Sequence, residues 1–94
     1  MRSYSITFNF SSHAAQKYEF ITQVIKMNCL GYLKFAASTV FVAYNGDARQ
    51  LYHLFTPYID EWDDFLVIEV TEECNGRLSD DDWETLGSIL GDIE

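Results

Sequence analysis

Two runs of carboxylates carry the residue types most able to do chemistry in this chain. One is Asp60-Glu61-Trp62-Asp63-Asp64; the other is Asp80-Asp81-Asp82-Trp83-Glu84, with Glu72 and Glu73 between them. Closely spaced carboxylates can ligate a hard cation, move protons, or present a negative field to a cationic partner. A calcium loop needs alternating oxygen donors, a glycine at its sixth position and a glutamate at its twelfth. Asp80, Asp81 and Asp82 are consecutive and lack both, so no metal site is expected. His13 and His53 are the only imidazoles. Ser11 or Ser12 with His13 and a distant aspartate could be assembled into a nucleophilic set, but no G-x-S-x-G elbow positions it. No catalytic residue and no cofactor are therefore assigned, and the negative field remains.

Thirteen of the fifteen acidic residues lie from Asp60 onward, opposed there only by Arg77. Residues 1–59 hold Glu19 and Asp47 against Arg2, Lys17, Lys26, Lys34 and Arg49, and the whole chain has a formal charge of −9. Such a surface repels nucleic acid, whose recognition needs Lys and Arg. Tyr4, Tyr32, Phe35 and Phe41 could stack bases, but they also suit a core or a dimer contact. The expected partner is a basic protein or nucleoprotein complex, because steered association favours opposite fields. Asp60, Glu61, Trp62, Asp63, Asp64, Glu72, Glu73, Asp80, Asp81, Asp82, Trp83 and Glu84 would form the contact, with the two tryptophans as apolar anchors.

The elements that must position these groups follow from periodicity. Ninety-four residues, 48% hydrophobic and 16% aromatic, make one folded domain. Residues 1–72 read as its core and 73–94 as an acidic turn and helix. Cys29 and Cys74 read as reduced thiols, and the absence of an apolar leader or span leads us to expect a soluble, cytoplasmic chain. Tyr4, Ile6, Phe8 and Phe10 alternate with polar residues, as in a strand with one buried face. Ser11 and Ser12 offer a cap to a helix whose stripe is Ala14, Tyr18, Ile21 and Ile25, widened by Phe20, Val24 and Met27. Tyr32–Ala37 and Thr39–Tyr44 read as two strands or one bent strand. Asn45-Gly46 marks a turn, and Asp47 caps a helix carrying Leu51, Leu54, Phe55, Tyr58 and Ile59 that Pro57 ends or kinks. Phe65–Val70, rich in β-branched residues, reads as a central strand. Asn75-Gly76 marks a further turn. Ser79 caps the last helix and Asp82 completes a capping box with it; Trp83, Leu86, Ile89 and Leu90 form its apolar side.

The order is that of an α+β, ferredoxin-like βαββαβ sandwich with an extra short C-terminal helix. Ser38-Thr39-Val40-Phe41-Val42, Asp47-Ala48-Arg49-Gln50-Leu51, Tyr58-Ile59-Asp60 and Asp64 through Thr71 resemble the small SinR-like family. That family is related to the second CRISPR-associated adaptation protein and to VapD-type ribonucleases. The resemblance spans roughly residues 3–72. It implies a ferredoxin-like fold, two-fold dimers, and an aspartate at the end of the first strand that binds a divalent metal. Asn9 stands at that position here, a neutral and poorer magnesium ligand. In size and charge the chain is also similar to small phage inhibitors of host defence, including anti-CRISPR proteins, which mimic nucleic acid. The sequence thus leads to a non-catalytic acidic interaction domain. A dimeric metal-dependent nuclease and a structural dimeric scaffold stand as alternatives.

Overall fold

The computed structural model describes residues 1–91. Four strands, β1 (Arg2–Asn9), β2 (Gly31–Ala36), β3 (Thr39–Tyr44) and β4 (Asp64–Glu69), form one antiparallel sheet of order β2-β3-β1-β4. Three helices accompany it: α1 (Ala14–Asn28), α2 (Ala48–His53) and α3 (Asp80–Leu90). The chain is a small α+β unit running β-α-β-β-α-β-α.

The alternation in β1 sets the sheet's two faces. Tyr4, Ile6 and Phe8 are buried with Val40 and Val42 of β3, beneath Ile21 and Ile25 of α1, Leu51 of α2 and Phe55. Phe8 stacks on Phe10, 4.9 Å between centroids, so the inward pattern continues one residue past the strand. The buried Tyr4 hydroxyl donates to the Gly46 carbonyl at 2.6 Å. A Cβ on Gly46 would stand 2.6 Å from the Tyr44 ring, which is why the turn at Asn45 requires glycine there.

Several boundaries differ from the sequence reading for local reasons. Ala37 and Ser38 form a tight turn, so β2 and β3 are a hairpin rather than one bent strand. The register slips between Lys34 and Ala36 beside that turn. Neither serine caps α1: its N-cap is His13, left-handed at φ 54° and making no side-chain cap bond. Asp47 does cap α2, in a reciprocal box with Gln50 in which both bonds are 2.8 Å. That helix ends at His53, and Pro57 lies in a separate 3₁₀ turn, Thr56–Tyr58. Ser79 caps α3 through the Asp82 N–H at 3.1 Å, but no reciprocal bond is made, since Asp is one methylene shorter than the usual Glu.

The strand read as central is an edge. Phe65 and Val67 pack against the core, while Leu66 and Ile68 point to the opposite face and are 55% and 51% exposed. Composition signalled a strand with two apolar faces, and only one of them is covered. Part of the opposite face is closed by α3, which lies along β2 with Ile89 beside Gly31 and Trp83 beside Phe35. The Ser3 hydroxyl donates to the Ile89 carbonyl at 2.6 Å and ties the end of α3 to β1.

Phe55 is fully buried and lies 5.0 Å from the Phe65 ring between centroids. Phe55→Ala is expected to cost about 3–5 kcal/mol. Met27→Ala, at a side chain 83% exposed, should stay within about 0.5 kcal/mol. Urea unfolding of the two variants measures both.

Candidate interaction surface

The loop between the 3₁₀ turn and β4 is built around a lysine. Lys17 shares a helix face with Ile21 and Ile25, and all three are buried. Its ammonium donates to Asp60 Oδ2 and to Asp63 Oδ2, both at 2.8 Å. Asp63 Oδ2 also accepts from the Asp60 N–H at 2.9 Å. Asp63 Oδ1 accepts from the Ser11 N–H at 2.8 Å and the Ser11 hydroxyl at 3.1 Å. Asp60 Oδ1 accepts from the Trp62 N–H at 2.9 Å. The Asp63 side chain has no exposed surface, against 46% for Asp60.

Burial opposes the charge of Asp63, but Lys17 and the N–H groups of Asp60 and Ser11 outweigh it and hold the carboxyl well below the usual range. The Lys17 hydrogen bond, followed by the Trp62 N–H, lowers Asp60. The hydrogen bonds it donates to Asp60 and then to Asp63 raise the lysine. One buried cation and two carboxylates, all hydrogen-bonded, form a structural clasp. It takes Asp63 out of the contact set expected from sequence: a carboxylate with four donors and no exposure presents nothing to a partner.

The clasp leaves Trp62 pointing outward, 75% exposed, between the exposed Glu61 and Asp64. Trp83 differs. It is half-buried beside a hollow of about 170 Å³ that Phe35, Phe41, Cys74 and Leu86 also line, so it anchors α3 on the sheet. Glu72, Glu73, Asp80, Asp81 and Glu84 are exposed and Asp82 is half-buried. These groups do not form one patch. Asp60–Asp63 precede β4, Asp64 opens it and Glu72–Glu73 follow it, with six residues of strand, or about 20 Å, between the two groups. Asp80–Glu84 open α3 on the far side of the open face. Glu73 lines a hollow with Leu86 and Leu90 of α3, so the second group lies beside that helix and the first at the other end of β4.

The other chemistries considered from sequence lack geometry. The His13 Nδ1 lies 3.3 Å from the Ser12 hydroxyl, whereas the Ser11 hydroxyl is on Asp63. Among the described residues no imidazole bridges serine and carboxylate, so this is no triad. Among the described residues no three His, Cys, Asp or Glu side chains converge as a metal site. Asn9 is exposed and pairs in register with Asp64. Tyr4 lies on the covered face of the sheet and Phe35 and Phe41 beside α3, so these rings make no common stacking platform. Cys29 is half-buried and its thiol is pushed up to about 11 by burial; Cys74 is exposed, and both are free. No helix is long and apolar enough to cross a membrane among the described residues.

No family model, curated protein or solved structure matches the chain, and nothing there identifies a SinR-like or CRISPR-adaptation family.

Sequence reasoning missed the clasp. Lys17 stands at four-residue spacing with Ile21 and Ile25, and a lysine on an apolar stripe is a signal that its charge is matched within the fold.

The clasp also predicts an acid limb. The stabilisation from Asp63, whose folded pKa is depressed, is fully present above the ordinary aspartate value of about 3.9. It fades as pH falls from there towards the folded value. The stabilisation from Lys17, whose folded pKa is raised, is present below about 10.4 and is lost only above it. Asp63→Asn should therefore lower the urea midpoint near neutrality, and the gap to wild type should narrow as pH falls from about 4 to about 2.

Proposed function

We propose that this chain is a non-catalytic acidic interaction domain that binds a basic protein surface of the kind that ordinarily holds nucleic acid. The single observation that carries the reading is the Trp62 loop. A buried lysine, two carboxylates and six hydrogen bonds from named donors hold a large aromatic side chain out in water between two free carboxylates. A preorganised tryptophan within a charged rim is the composition of an interface hot spot, and its rigidity lowers the ordering cost of binding.

The likeness to a nucleic-acid mimic rests on charge. Glu61, Asp64, Glu72, Glu73, Asp80, Asp81, Asp82 and Glu84 are the carboxylates left for the partner once Asp63 is withdrawn. Asp60 contributes only the part of its side chain that the clasp leaves open. Of the basic residues, Lys17 is consumed in the clasp, Arg2 faces Glu69 at 3.7 Å, and Lys34 sits 4.8 Å over the Tyr18 ring. The β-α-β-β-α-β order and the strand order β2-β3-β1-β4 support a ferredoxin-like sandwich extended by α3. The nuclease alternative draws no support from Asn9, whose register partner Asp64 supplies one carboxylate where a divalent site needs more.

Affinity capture from cell extract tests this reading, with wild type, Trp62→Ala and an Asp64→Lys/Asp81→Lys/Asp82→Lys variant as baits. Wild type should retain basic nucleic-acid-binding proteins that competing duplex DNA displaces and that elute at about 0.5 M salt. Trp62→Ala should weaken a purified partner by about 2 kcal/mol, or roughly 30-fold, with stability unchanged. Equal retention by all three baits overturns the proposal, as does cleavage of labelled RNA or DNA that depends on magnesium and is lost in Asn9→Ala.

A further inference from the structure

We propose that α3 is a hinged cover on the open face of the sheet, which lifts as one unit while the four strands, α1 and α2 stay folded. The sheet divides the apolar interior in two. On one face Tyr4, Ile6, Phe8, Val40 and Val42 pack with Ile21, Ile25, Leu51 and Phe55 as the main core. On the other face Ala43 lies in register with Ser3 and Gly31, and directly paired residues share a face. Ser3 and Ala43 are buried there with Leu86 and Ile89 of α3, and none of these four belongs to the main core. Lifting α3 therefore takes no side chain out of that core.

Little else holds the helix down. The Ser3 hydroxyl on the Ile89 carbonyl is the one hydrogen bond joining α3 to the sheet among the described residues, and no ion pair joins them. Charge opposes the docking. Residues 70–91 carry Glu72, Glu73, Asp80, Asp81, Asp82 and Glu84 against Arg77 alone, and residues 1–69 are net acidic too. Bodies of like sign repel, so apolar burial does the holding. The seam is loosely filled: hollows of about 390 Å³ and 170 Å³ lie along it, both lined by Phe41, Cys74 and Leu86. Empty space beside an apolar side chain forfeits its dispersion contacts.

The connection lets the helix move. Residues 70–79 form neither helix nor strand, and 71–77 are exposed. The Val70 N–H on the Ser3 carbonyl, at 2.9 Å, is the last backbone bond of that segment to the sheet. Beyond it the bonds are local, from the Glu73 N–H to the Thr71 hydroxyl and from the Gly76 N–H to the Asn75 side chain. A helix with few buried contacts on an exposed tether opens at a lower free energy than the whole domain. Its 11 residues are too few for a stable isolated helix, so a lifted α3 gives its amides to solvent. Lifting uncovers Phe35 and Phe41, whose rings are 5.8 Å apart between centroids. It also carries Asp80, Asp81, Asp82 and Glu84 away, while the clasp keeps the Trp62 loop in place. The carboxylates thus divide into a fixed set and a movable one, whether or not the chain has a basic partner.

Native-state amide hydrogen exchange by NMR, on the full chain in a series of low urea concentrations, tests the cover. The protected amides of α3 should exchange through an opening populated about tenfold or more above the one that exposes Ile6 and Val42, and with a weaker dependence on urea. Two mild variants separate the units. Ile25→Val weakens the main core, in the closed and lifted states alike. It should speed exchange at Ile6 and Val42 about fivefold and leave α3 unchanged. Ser3→Ala removes the bond to Ile89 and should speed exchange in α3 about fivefold. One shared rate and urea dependence for α3, Ile6 and Val42 overturns the proposal, because α3 then opens only with the whole domain. Equal acceleration of α3 and the strands by Ile25→Val overturns it for the same reason, and so does Ser3→Ala without effect on α3.

Discussion

The ammonium of Lys17 between Asp60 and Asp63 is the interaction on which the Trp62 loop depends. A buried cation is costly unless its charge is matched and its protons are used. Here the match comes from a loop with little apolar content of its own. In return α1 holds that loop against the sheet, and the loop projects Trp62. Removing the lysine leaves two carboxylates facing each other; removing Asp63 leaves the ammonium with one half-exposed partner and Ser11 without its acceptor. Stability and presentation of the surface are thus joined in a single set of bonds.

Much of the fold was legible because it obeys simple periods. The alternation of Tyr4, Ile6 and Phe8, the four-residue spacing of Ile21 and Ile25, and the Asp47 and Ser79 caps each have one local cause and one structural result. What could not be read depends on partners distant in sequence. Asp63 looked like its acidic neighbours, and only the approach of Ser11 and Lys17, more than forty residues away, distinguishes it. The β-branched run in β4 suggested a central strand because composition reports apolar faces, not what covers them. Trp62 and Trp83 stand in similar acidic settings, yet one is outward and the other pinned beside Phe35.

Charge and shape act together on the open face. α3 closes the β2 side and leaves the β4 side with apolar side chains and unpaired backbone groups. Counting acidic residues along the chain suggested one anionic end. Folding sets Asp60–Asp64 and Glu72–Glu73 at opposite ends of β4, so a count along the chain does not locate the charge.

The clasp also acts as a phase lock. Because β4 is apolar on both sides, its hydrophobic pattern alone would tolerate a slip of one residue, exchanging Phe65 and Val67 for Leu66 and Ile68 in the core. Asn9 pairs with Asp64, and just beyond that rung the Asp63 carboxylate grips the Ser11 amide. A slipped strand would pull that carboxylate about 3.4 Å along the ladder, away from its donors. A buried, charge-matched lysine on a neighbouring helix thereby keeps an otherwise ambiguous strand in step.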